Sequence, residues 1–169
     1  MTRFAPLIQA GGAVLDLACG NGRHSNFLAA SGFSVTAVDR DVSNINRDFK
    51  QIKLVETDLE NGKPWLLRDK HFMGIVVTNY LHRPLIPAII NALDKNGVLI
   101  YETFSLGNEQ YGRPSNPDFL LKPGELLSMC SKTLRVIAYE EGIIKDPILS
   151  IKQRICAING PPHGAPVLV

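Results

Sequence analysis

Three aspartates, Asp16, Asp39 and Asp58, stand at or just past the ends of short apolar runs, and the glycines Gly20 and Gly22 follow the first of them in "VLDLACGNGRHS". A glycine turn between a strand and a helix lets backbone N–H groups approach a ligand that a β-carbon would exclude, beside a helix N-terminus that favours negative charge. The dinucleotide fingerprint asks for a third glycine, yet that position is Ser25, so a pyrophosphate reading is incomplete. Asp16 decides more. Four residues before Gly20, its charge repels a diphosphate and suits a cationic amino group. In "VTAVDRD", Asp39 follows about 20 residues after the turn, where an acid accepts hydrogen bonds from both ribose hydroxyls.

A second group of residues is placed for reaction chemistry: Asn79, Tyr80, His82 and Arg83 in "TNYLHRP", and Tyr101, Glu102 and Thr103 in "YETF". His82 has two roles open to it, proton acceptor or cap of the helix that Pro84 begins. Tyr80 combines an apolar ring with a polar tip, which suits the wall of a small pocket or a half-buried core position. Glu102 is expected to orient Arg83 or Arg113, or to form a surface ion pair. The stretch "SLGNEQYGRPSNPDFLLKPGE" is long for a connection inside one domain, and such loops are usually functional. It is expected to fold over the ligand edge as a lid with Arg113 facing the substrate. Arg23, Arg83, Arg113 and Lys122, all near that edge, favour a small anionic substrate; the plain alternative is that they are solvated loop charges.

The elements that must position these residues are legible from their patterns. Apolar, β-branched runs at Ala13 to Cys19, Ser34 to Val38, Ile52 to Val55, Phe72 to Thr78 and Gly97 to Thr103 are mostly apolar throughout, as in strands covered on both faces. Helices are expected at Arg23 to Ser31, at Val42 to Lys50 after a cap at Asp41, at Leu85 to Leu93, and from Pro123. Leu134 to Ile144 and Ile151 to Ile158 read as an antiparallel hairpin turning at Asp146 and Pro147. The fold class is therefore α/β, a doubly wound, mostly parallel sheet closed by that hairpin. One domain over residues 1–160 and a mobile tail at 161–169 are expected. With 169 residues, 45% hydrophobic, 20% charged and net +2, the chain has no electrostatic mandate for nucleic acid or an anionic membrane. Cys19, Cys130 and Cys156 lack zinc-site or disulfide spacing, so no metal site is expected. No window approaches the ~18 apolar residues of a membrane span, and the chain is read as soluble and cytoplasmic.

On "DLACGNG", with Ala18 where glycine is commoner, followed in order by "VTAVDRD", "LVETDLENG" and "GIVVTNYLHRPL", the chain resembles the class I S-adenosylmethionine-dependent methyltransferases. The resemblance implies a seven-stranded Rossmann-like sheet and S-adenosylmethionine as cofactor, released as S-adenosylhomocysteine. It implies cofactor contacts at Asp16, Ala18, Gly20, Gly22, Asp39, Arg40, Asp58, Leu59 and Asn79, with Asp58 on the adenine amino group. It leaves Tyr80, His82 and Arg113 to orient the acceptor. The short chain is most similar to the small tellurite-resistance and thiopurine-type methyltransferases, which implies a small-molecule acceptor, anionic or a thiol or chalcogen. Many relatives carry helices ahead of the first strand, which here begins near Ala13; an open site, the Ser105 to Lys122 loop, or a second copy in a homodimer would replace their cover. The competing readings are an RNA or protein methyltransferase, against which stands the absence of an Asn-Pro-Pro-aromatic motif, and a module that binds the cofactor without chemistry.

Overall fold

The computed structural model describes residues 1–46 and 48–160; the expected tail at 161–169 lies outside them. Five strands run parallel: β1 (Ala13–Leu17), β2 (Ser34–Asp39), β3 (Ile52–Glu56), β4 (Phe72–Thr78) and β5 (Leu93–Phe104). Two more, β6 (Arg135–Ile144) and β7 (Ser150–Ile158), form the expected hairpin, and β7 pairs antiparallel with β5. The order across the sheet is β3-β2-β1-β4-β5-β7-β6. The doubly wound, mostly parallel sheet is borne out.

Each face has its own core. On one, Val14, Val35, Val76, Ile100 and Cys156 pack under Leu28 and Ala29 of α1 (Arg23–Ala30) and under Ile8 of the N-terminal segment. On the other, Leu15, Ile75, Leu99 and Ile155 meet Ile86 and Ile89 of α2 (Ile86–Asn91), Leu126 and Cys130 of α3 (Glu125–Cys130), and Leu67 from the β3–β4 connection. Strands walled on both sides need apolar residues at consecutive positions, which is why β1 and β4 read as unbroken apolar runs.

The helical elements depart from the sequence expectation. Among the described residues of the range Val42 to Lys50, the expected helix does not form. Asp41 Oδ1 accepts from both the Ser43 amide (2.9 Å) and its hydroxyl (2.6 Å), and Asn46 Oδ1 accepts from the Asp48 amide at 2.9 Å. These short side chains satisfy backbone donors locally and compete with a helical ladder. α3 starts at Glu125 after Gly124, leaving Pro123 outside it. β5 begins four residues early, at Leu93, because "DKNG" bulges within the strand, with Asn96 at a positive φ of 65°.

Candidate active site

The carboxyl ends of β1, β2, β3 and β4 converge on a cleft of about 500 Å³ lined by Ala18, Asp39, Arg40, Asp58, Leu59 and Asn79, with Tyr80 and Phe119. The parallel register brings this about: Asp16 of β1 lies beside Ala37 and Val76, and Asp39 ends β2 beside Glu56. The turn after β1 then bends sharply, with Ala18, Gly20 and Gly22 all at left-handed φ. The two glycines differ in purpose. A β-carbon on Gly20 would meet nothing within 4 Å, so that side faces open space, whereas one on Gly22 would lie 2.8 Å from Ile45 Cγ2. Gly22 thus admits the β2–β3 loop, and Gly20 leaves the ligand side clear.

Asp39 closes the turn from the side. Its Oδ2 accepts from the Gly20 amide at 2.8 Å and its Oδ1 from the Asp41 amide at 3.2 Å, leaving lone pairs on both oxygens. Asp58 Oδ1 accepts from the Glu60 amide at 2.8 Å. Asp16 lies beneath the turn, 1% exposed; its Oδ2 accepts from the Ser25 hydroxyl at 2.5 Å while Oδ1 is buried with no partner. Burial pushes its pKa up to about 6. A buried carboxylate oxygen without a donor is costly unless a cation or hydrogen-bond donor comes to it. The acid set and the orphaned oxygen fit an adenosyl amino acid: hydroxyl donors for Asp39, an amino donor for Asp58, an ammonium for Asp16.

Asn79, at φ 55°, belongs to a second cleft as well, about 460 Å³ in volume. That recess is lined by Arg23, Arg113, Lys152 and Arg154 against Glu102 and Asp146, with Tyr111 and Ile148 at its sides. Lys152 Nζ donates to Asn79 Oδ1 at 2.7 Å and to Glu102 Oε1 at 3.0 Å, and lies 4.7 Å from the centre of the Phe104 ring. Arg154 Nε stands 3.3 Å from Glu102 Oε2. An acid-lined cleft and a cation-lined recess therefore share one residue.

The model of the family described as tellurite resistance protein TehB matches residues 5–143. The chain belongs to the TehB family. Among solved structures, it is similar to TehB from Haemophilus influenzae (21% identity, TM-score 0.69), of which it spans 59% while 92% of this chain is covered. It is also similar to a TehB-like methyltransferase from Corynebacterium glutamicum (20% identity, TM-score 0.65; 92% of this chain, 86% of that one). A third is 1,6-didemethyltoxoflavin-N1-methyltransferase from Burkholderia thailandensis, solved with bound 1,6-didemethyltoxoflavin and S-adenosylhomocysteine (16% identity, TM-score 0.69; 95% and 76% covered). No curated protein sequence gives a significant match. The fold of the TehB-family chain is that of the S-adenosylmethionine-dependent methyltransferases, as the sequence led one to expect.

Other residues of the TehB-family chain fall differently from expectation. Glu102 orients neither Arg83 nor Arg113; the antiparallel register sets it opposite Arg154 and beside Lys152. Of the four cations expected together, Arg23 and Arg113 line the recess. Arg83 instead grips Glu125 on the other side of the sheet, and Lys122 meets Gln153 through its carbonyl. His82 stands at the start of a 3-10 turn (Arg83–Leu85), half-buried, and lines neither cleft; its side chain makes no capping bond. Tyr80 lines the first cleft with a buried hydroxyl that has no hydrogen-bond partner; burial, and then the acid Glu60, raise its pKa. Tyr101 is buried, and its hydroxyl donates to the Tyr80 carbonyl at 2.9 Å, supporting the loop from below. Lys152 and Arg154 escaped the sequence reading. Their signal was two cations at alternate positions of a strand paired in register with Glu102.

Proposed function

We propose that the chain is an S-adenosylmethionine-dependent methyltransferase whose acceptor is a small anion, with a chalcogen oxyanion or thiolate as the leading class. The observation that carries this reading is the meeting of the acid-lined cleft and the cationic recess at Asn79. The family's description as tellurite resistance protein supports the chalcogen class.

When bound, the cofactor supplies an electrophilic methyl group on a sulfonium sulfur. Asp39 and Asp58 hold its adenosine portion, and Asp16 Oδ1 accepts from its ammonium. Ala18, Gly20 and Gly22 shape the turn around it, while Arg40 and Leu59 complete the cleft. Asn79 stands where that cleft meets the acceptor. Arg113, with Arg23, Lys152 and Arg154, draws an anionic acceptor into the recess and aligns it for in-line displacement. Tyr80 shapes the wall of the first cleft and, with its pKa raised by burial, keeps its proton and offers a hydrogen bond. His82 sits outside both clefts, so its part is to shape the loop after β4. Of the two acids that line the recess, Glu102 is already engaged by Lys152 and Arg154, while Asp146 stands at the turn between β6 and β7. An acceptor with a lone pair available at neutral pH needs no base, and this agrees with a thiolate or oxyanion better than an alcohol.

Calorimetry with S-adenosylhomocysteine and NAD tests the cofactor half; micromolar binding of the former alone is expected. Methyl transfer to tellurite, selenite, small thiols and phenols tests the acceptor half, with activity expected for the anions and none for neutral phenols. Arg113→Ala is expected to raise KM for an anionic acceptor about tenfold while leaving S-adenosylhomocysteine affinity unchanged. Equal loss of both would sink the assignment of Arg113 to the acceptor.

A further inference from the structure

The connection from Ser105 to Lys122 is pinned at three places. At its base the Ser105 hydroxyl and the Leu106 amide both donate to the Leu121 carbonyl, at 3.0 and 2.9 Å. Along one limb, buried Asn108 accepts from the Ile151 amide at 3.1 Å and donates to the Pro114 carbonyl at 3.3 Å. The third pin is Arg83. Its Nε and Nη2 meet the two Glu125 oxygens at 2.7 and 2.8 Å, and its Nη1 and Nη2 donate to the carbonyls of Asp118 (2.7 Å) and Leu120 (2.9 Å).

Those two carbonyls flank Phe119. Its ring lines the acid-lined cleft together with Asp58, Leu59 and Tyr80, yet it is 45% exposed. An ion pair with Glu125 needs only the charge; the bonds to Asp118 and Leu120 need a planar fork that can satisfy a carboxylate and two neutral acceptors at once, which lysine cannot supply. The fork also springs from the loop that carries Asn79 and Tyr80 into the same cleft. We infer that Arg83 is a positioning residue: through the carbonyls on either side of Phe119 it holds that ring as a stacking wall for the adenine, fixed before any ligand arrives. This rests on the cofactor reading above. The exposed aromatic face is what a purine would cover, and base–aromatic stacking tolerates little displacement.

The test is a double-mutant cycle read by calorimetry with S-adenosylhomocysteine, with thermal melts run alongside. Phe119→Ala and Arg83→Ala are each expected to weaken binding about tenfold, and the double variant no more than either single one, because both remove the same wall. Arg83→Lys keeps a cation beside Glu125 and is expected to match Arg83→Ala in affinity; it also serves in its place if the alanine variant does not fold. If Phe119→Ala weakens binding while both Arg83 variants bind within twofold of wild type, the inference is overturned. Additive losses overturn it too, since Arg83 would then act by another route. A wild-type chain that fails to bind the ligand defeats the cofactor reading instead, and that outcome is separate from either of these.

Discussion

Asp16 is where the cofactor reading meets the titration of a single group. Its pKa in the folded chain, about 6, lies above the ordinary value of 3.8 because burial disfavours the charge. The sign follows: the stability this group contributes is complete below the unfolded value and is lost as pH rises through about 6, a difference on the order of 3 kcal/mol. Asp16→Asn is accordingly expected to flatten the pH dependence of unfolding between pH 4 and 6, as denaturant melts at several pH values will report. Ligand binding runs the other way. An ammonium prefers the ionised carboxylate, so S-adenosylhomocysteine affinity is expected to fall as pH drops below about 6 in the wild type and to be weak and pH-independent in Asp16→Asn. Asp39 offers a sharper loss. On the proposed cofactor reading, loss of its carboxylate leaves two ribose hydroxyls unpaired and deprives the Gly20 amide of its acceptor, so Asp39→Ala is expected to weaken binding about a hundredfold by calorimetry.

At the scale of elements, strand β7 carries more than its length suggests. Gln153 is fully buried: its Oε1 accepts from the Leu126 amide, and its two N–H groups are shared among the Lys122 carbonyl, the Ser105 hydroxyl and Glu141. Gln153→Leu would strand the Leu126 and Lys122 backbone groups, a cost of about 3 kcal/mol and a fall in Tm of roughly 6–12 °C by calorimetric melting. None of these side-chain contacts was legible from "SIKQRICAI", whose β-branched residues announced one strand of a hairpin but not what Gln153 would meet. The parallel strands and Asp16, Asp39 and Asp58 were legible because continuous apolar runs have few other uses, and their ends mark the ligand edge of an open sheet. The helix expected after Asp41 failed through side-chain competition that spacing does not reveal. The grouping of Arg83 with Arg23 failed because proximity in sequence to the ligand edge does not say which face of the sheet a side chain takes. Likewise the Ser105–Lys122 connection was legible as a long loop, but its three pins depend on Ser105 and Leu106 meeting Leu121, on Asn108 meeting Ile151, and on Arg83 meeting Asp118 and Leu120, pairings that spacing does not reveal.

For the molecule as a whole, a formal charge of only +2 conceals a local separation of sign. Acids gather about the first cleft and cations about the second. Screening therefore acts unequally on the two ligands. With an anionic acceptor, kcat/KM is expected to fall several-fold between roughly 20 and 200 mM salt through the rate of capture, whereas affinity for zwitterionic S-adenosylhomocysteine changes little; steady-state kinetics and calorimetry over that range check both halves. Among the described residues no helix is long and apolar enough to cross a membrane.

The turn between β6 and β7 is exposed at Ile148 and Leu149, the kind of place where chains ordinarily gain and lose residues freely. Here the strand that follows it is read like a frame. Lys152 and Arg154 point to the recess, while Gln153 between them points to the socket under α3. An insertion or deletion of one residue that slid β7 by one position would exchange the two sets, burying a cation where the amide belongs and placing an amide where the cations belong. Length at this outwardly permissive turn is thus under a constraint of parity, and descendants of this chain should change it by two residues, by none, or not survive the change.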